Sequence, residues 1–101
     1  MRVVFISGAF RGENSWVIHQ HVIEAEKATA KLLGEGFAVI CPHTMTQNMQ
    51  GLYPDRVYLD TCLELVRRSD VIYMLKGWGN SEGALEELNL ARELGKDVIY
   101  G

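Results

Sequence analysis

The sequence has little of several features that mark well-known classes of protein. Its 10 lysines and arginines are outnumbered by 13 aspartates and glutamates, which gives a net charge of −3. Without a basic surplus, we expect no nucleic-acid duplex as a partner. No apolar stretch is long enough to cross a bilayer, and no charged segment leads into an apolar run of signal-peptide type. We therefore predict a cytoplasmic protein without membrane contact.

Cysteines and histidines are few and scattered. Cys41 and Cys62 lack the spacing of a zinc site, and a disulfide is not expected in a reducing compartment, so both are predicted to be small core residues. His43 follows a predicted strand and is a candidate ligand contact. His19 and His21 lie in a predicted helix, on its solvated side. Three separated histidines indicate no metal site, and we expect no cofactor.

The glycine-containing loop at Ser7–Gly12 lacks the patterns of the common nucleotide folds. It has neither G-x-G-x-x-G nor the Lys-Ser/Thr ending of a P-loop, which disfavours a classical nicotinamide or ATP fold. Its backbone N–H groups and Arg11 are suited to an anion, but the loop is equally compatible with a tight turn and a solvated Arg11. The pair Ser81 and Gly83 opens a later helix, where Ser81 either helps to bind an anion or caps the helix.

Strand and helix patterns alternate along the chain. They predict one flavodoxin-like or Rossmann-like three-layer α/β domain over residues 1–101, with a parallel sheet of four or so strands. The predicted strands are Val3–Ile6, Phe37–Ile40, Val71–Leu75 and Lys96–Tyr100. The predicted helices start at Asn14 or Ser15, at about Val57 and at Ser81. The polar segment from Cys41 to about Asp55 is a candidate lid, and the small size of the sheet predicts a homodimer or larger assembly.

Glu87 is the most informative single residue. Helical spacing places it on the apolar stripe formed by Ala84, Glu87, Leu88 and Ala91. A carboxylate facing inward is costly unless it has a partner or a task. Its helix follows a buried strand, and ligands of open α/β sheets bind at that edge. We expect Glu87 to open into a pocket bounded by Gly8, Arg11 and Ser81.

Four segments of the chain resemble a known superfamily. They are Ile6–Gly12, Val39–His43, Ser69–Trp78 and Ser81–Leu88, and they look like a small phage and bacterial domain of the nucleoside 2-deoxyribosyltransferase-like superfamily. This superfamily also includes the 2-deoxynucleoside 5-phosphate N-hydrolases. Its S-x-G-x-x-x-E motif carries the catalytic nucleophile, which corresponds to Glu87.

The resemblance also implies roles for other residues. Arg11 matches an arginine that contacts the nucleotide phosphate in the hydrolases, although Ala9 stands where they carry a serine. Cys62 occupies the place of a family aspartate in the helix before the third strand. Asp60, which flanks Cys62, is the candidate substitute that assists the departing base. Asp70 begins its strand at the opposite edge and is expected to be structural.

The implied activity is cleavage or exchange of the N-glycosidic bond of a nucleoside or nucleoside 5-monophosphate. The residues expected to contact this substrate are Ser7, Gly8, Phe10, Arg11, His43, Trp78, Ser81 and Gly83. Trp78 would stack on the base with Phe10 and Tyr53, unless these aromatic rings serve packing. The alternative is a nucleotide or nucleotide-sugar sensor without turnover, which Cys62 favours. A purely structural role would leave Glu87 without a task.

Overall fold

A computed structural model describes all residues, 1–101. The strands are β1 (Val3–Ser7), β2 (Ala38–Ile40), β3 (Val71–Met74) and β4 (Asp97–Tyr100). The helices are α1 (Ser15–Gly34), α2 (Pro42–Met45), α3 (Asp55–Arg67) and α4 (Glu82–Glu93), and a short 3-10 turn covers Trp78–Asn80. No helix is long and apolar enough to cross a membrane.

The four strands form one parallel sheet in the order β2-β1-β3-β4. Successive side chains of a strand point to opposite faces. Val4 and Ile6 of β1 therefore pack with α1 on one face, whereas Phe5 packs with α3 and α4 on the other. The result is a three-layer α/β domain of flavodoxin-like strand order, which confirms the predicted fold class.

Local signals account for most of the element boundaries. Asn14 caps α1 by accepting a hydrogen bond from the Val17 N–H at 3.0 Å, as the sequence predicts. The structural role expected for Asp70 is also visible, because its carboxylate accepts from the Val3 N–H at 2.8 Å. This bond ties the amino ends of β1 and β3 together, away from the carboxyl edge.

Two segments differ from the sequence-based prediction. The polar segment after Cys41 is not wholly a loop, because Pro42 starts the short helix α2 with a φ angle that suits a first helical position. Helix α3 begins at Asp55 rather than at Val57, directly after Pro54. This earlier start moves an acidic residue into the first turn of α3, at the carboxyl edge of the sheet.

Candidate functional site

The centre of the site is a hydrogen bond between the end of β1 and the middle of α4. Ser7 follows Phe5 on the face that packs against α4, and Glu87 lies on the buried stripe of that helix. The Ser7 hydroxyl donates to Glu87 Oε1 at 2.6 Å, and both side chains are buried. The predicted inward stripe of α4 is therefore confirmed in all four members, which are Ala84, Glu87, Leu88 and Ala91.

The Glu87 carboxylate is held in an environment that disfavours its charge. The residue is 8% exposed, and burial raises its pKa to about 7. The hydrogen bond from Ser7, the nearby His43 and the Cys62 thiol each oppose this rise. At neutral pH both the protonated and the ionised carboxylate are consequently populated.

Cys62 and His43 are neutral neighbours of Glu87. Burial and the adjacent carboxylate raise the pKa of the Cys62 thiol to about 12, so Cys62 stays protonated. Burial lowers the pKa of His43. Its Nε2 lies 3.0 Å from the Ala9 carbonyl oxygen, to which it donates, while Nδ1 is buried without a hydrogen-bond partner. This hydrogen bond connects α2 to the loop after β1.

An open cleft of about 990 Å³ leads to Glu87. Its walls come from the loop after β1, the α2 segment, the first two turns of α3 and the start of α4. Gly8, Arg11 and Ser81 all line it, which confirms the expected pocket around Glu87. The other predicted contacts that line the cleft are Phe10, His43 and Gly83. A cleft of this volume is large enough for a small-molecule ligand.

Three predicted site residues do not line the cleft, namely Ser7, Asp60 and Trp78. Ser7 is fully buried and reaches the site only through its hydrogen bond to Glu87, so it is not the ligand contact that we expected. Helix α3 lines the cleft with Asp55, Arg56, Tyr58, Leu59 and Cys62, but not with Asp60. The Asp60 carboxylate is exposed and pairs with the Arg56 Nε at 2.8 Å. Trp78 packs against the core on the α4 face and against the ring of Tyr100, with centroids 5.9 Å apart.

The structure also brings residues to the site that the sequence analysis did not single out. Asp55 forms an ion pair with Arg11 across the cleft. Tyr58 lines the cleft and donates its hydroxyl to the Met49 carbonyl, which attaches the segment before α3 to the helix. The predicted position of His21 on the solvated side of α1 is wrong, because His21 is half-buried and its Nδ1 lies 3.0 Å from the Phe10 carbonyl oxygen.

Gly8 has a packing role that does not depend on a ligand. A Cβ atom at this position would lie 2.7 Å from the Leu75 Cβ, which is closer than packed carbon atoms approach. The Leu75 N–H also donates to the Ser7 carbonyl at 2.8 Å. The ends of β1 and β3 are therefore in close backbone contact here, which fixes the loop that carries Arg11.

The fold and the cleft define a small three-layer α/β domain with a buried carboxylate at the carboxyl edge of its sheet. Residues 2–100 match the family described as a domain of unknown function, DUF4406, and the chain belongs to this family. No curated protein matches the chain.

Proposed function

We propose that this protein binds a nucleoside or nucleoside 5-monophosphate and cleaves or transfers at its N-glycosidic bond, with Glu87 as the nucleophile. The observation that carries the proposal is the buried Glu87 carboxylate, which Ser7 holds at 2.6 Å beside an open cleft. The resemblance of the S-x-G-x-x-x-E motif to the nucleoside 2-deoxyribosyltransferase-like superfamily supports the same role.

The chemistry follows from the state of this carboxylate. Ionised Glu87 would attack the anomeric carbon through an oxocarbenium-like transition state while the bond to the base breaks. The bond that forms is an ester between the sugar and Glu87, and the base departs with a proton. Water, or a second base, would then cleave the ester and restore the carboxylate. The hydrogen bond from Ser7 holds Oε1 and so orients the group for attack.

Neither Asp60 nor Glu86 is placed to protonate the departing base. Asp60 does not line the cleft, and its carboxylate pairs with Arg56. Glu86 lines the cleft, but its carboxylate accepts a hydrogen bond from the same guanidinium at 3.1 Å, so the departing base takes its proton from water that enters the open cleft. Phe10 and Tyr58, rather than Trp78, are the aromatic residues available beside a bound base.

The direct test is release of free base from a panel of nucleosides and their 5-monophosphates, followed by chromatography. We expect release from at least one member, at a rate that rises with pH until about pH 7, because only the ionised form of Glu87 is a nucleophile. If no member of the panel releases base at ligand concentrations that saturate the protein, the catalytic proposal is contradicted.

A nucleotide or nucleotide-sugar sensor is the second candidate function. The observation that favours it is Cys62, whose thiol stays protonated where the resembling enzymes carry an aspartate. A sensor would bind a panel member without releasing base, and Glu87→Ala would bind it equally well. Tight binding with these two properties would establish the sensor in place of the enzyme.

We also propose that the protein acts in the cytoplasm as a homodimer or larger assembly, with α3 among the contacts. The cleft is open, and Val57 is an exposed apolar residue of α3 that lies in sequence between the cleft-lining Arg56 and Tyr58. A mass measurement at micromolar concentration should give at least twice the chain mass. A monomer alone would contradict the assembly but not the chemistry.

A further inference from the structure

Both arginines that line the cleft are already engaged by carboxylates. Arg11 is paired with Asp55, which lies on the opposite wall at the start of α3. Arg56 contacts Glu86 at 3.1 Å, with Nη1 as donor. Each guanidinium therefore already has an acidic partner in the cleft, which competes with an anionic ligand for its N–H donors.

Acidic groups also outnumber basic groups along the cleft. The charged residues that line it are Arg11, Arg56, Asp55, Glu82, Glu86 and Glu87. No salt bridge joins Glu82 or Glu87 to a cation. Glu82 stands in the first turn of α4, so the positive end of the helix dipole has an anion of its own chain beside it.

This distribution of charge is suited to hydroxyl groups and unsuited to a phosphate. A carboxylate only accepts hydrogen bonds, and the hydroxyls of a sugar donate them. A phosphate dianion only accepts, so it would have to share Arg11 with the Asp55 carboxylate or displace it, and in either case it would lie near acidic groups. Like charges brought together in a partly enclosed cleft repel more strongly than in bulk water.

We propose that Asp55, by occupying Arg11, makes the cleft select an unphosphorylated nucleoside over the matching 5-monophosphate. The proposal narrows the substrate class of the proposed function and rests on it. It also changes the role expected for Arg11. The guanidinium holds Asp55 in place as an acceptor for the sugar, and it does not bind the phosphate.

The test compares nucleosides with their 5-monophosphates by titration calorimetry at physiological salt. For the wild type we expect each nucleoside that binds to do so at least about tenfold more tightly than its monophosphate. Asp55→Asn frees Arg11 and retains a carbonyl acceptor. It should therefore tighten monophosphate binding about tenfold and change nucleoside binding by less than about threefold.

Asp97→Asn is the matched control, because Asp97 forms an exposed ion pair with Arg2 at the amino edge of the sheet. The same chemical change, remote from the cleft, should leave both affinities unchanged. A shift of monophosphate affinity of equal size in Asp97→Asn would show a general effect of charge and would overturn the role of Asp55.

The remaining outcomes separate this inference from the proposed function. If monophosphates bind more tightly than nucleosides and release base, the inference is wrong and the glycosidase proposal stands. If nucleosides are preferred, Asp55→Asn weakens that preference about tenfold and no base is released, then selectivity by Asp55 stands and catalysis does not. If no nucleoside or monophosphate binds, both proposals are overturned.

Discussion

Glu87→Gln is expected to lower the rate of base release at least about a thousandfold while changing ligand affinity by only a few-fold. Glutamine is close to glutamate in size and can accept the same hydrogen bond from Ser7, so the fold and the cleft should persist. It is not a nucleophile, and loss of a covalent catalyst removes interactions of the transition state rather than those of the bound substrate. Single-turnover kinetics and calorimetry measure the two effects separately.

Glu86→Gln is the control for this prediction. Glu86 precedes the proposed nucleophile, lines the same cleft and is exposed. Its carboxylate is an exposed ion-pair partner of Arg56 and is not the nucleophile, so Glu86→Gln should change the rate by only about a few-fold. Equal rates in wild type and Glu87→Gln would remove Glu87 from the chemistry.

The second large effect concerns stability and pH. The folded-state pKa of Glu87, about 7, lies above the ordinary value of 4.5, so the folded protein binds more protons than the unfolded chain between these two pH values. The contribution of Glu87 to the free energy of unfolding should therefore fall as pH rises from about 4.5 to about 7, and remain lowered above that range, whereas His43, whose pKa burial lowers, acts in the opposite direction below about pH 6.5. The difference corresponds to about 3 kcal/mol at most.

Glu87→Gln lacks this titration and should be more stable than the wild type at pH 8 by up to about 3 kcal/mol, with no advantage at pH 4. Urea denaturation across this pH range gives both values. Glu93→Gln, which removes an exposed carboxylate from the same helix, should shift stability by less than about 0.5 kcal/mol at any pH. Parallel stability curves for wild type and Glu87→Gln would show that Glu87 titrates normally.

Much of the site was predictable because it depends on local periodicity. The inward stripe of α4 follows from helical spacing, and the β-α-β order places the loops after β1 and β3 at one edge. The alternation of side chains along β1 also predicts that Ser7 faces Glu87, because Phe5 and Ser7 lie on the face of the sheet that packs against α4. These inferences need no knowledge of how distant elements pack.

The positions that the sequence left open are those that depend on packing. Whether Asp60 faces the cleft depends on how α3 is rotated about its axis against the sheet. The sequence pattern of α3 does not fix this rotation to within one residue. Trp78 sits in a 3-10 turn, and its contact with Tyr100 joins segments that only the sheet brings together. Arg11 and Asp55 are 44 positions apart, so the sequence shows two charged residues but not that they pair. The early start of α3 did leave a signal, namely Pro54 followed by Asp55.

The hydrogen bond between Ser7 and Glu87 has a consequence for how the protein is made. It joins residues 80 positions apart in a chain of 101, and the central pairing of β1 with β3 is also distant in sequence. Such contacts form only after long loops have closed. During synthesis, the site-facing end of β1 has no partner until α4 has emerged from the ribosome. The cleft is thus absent from every nascent intermediate that lacks α4, and it forms only once that helix has been made.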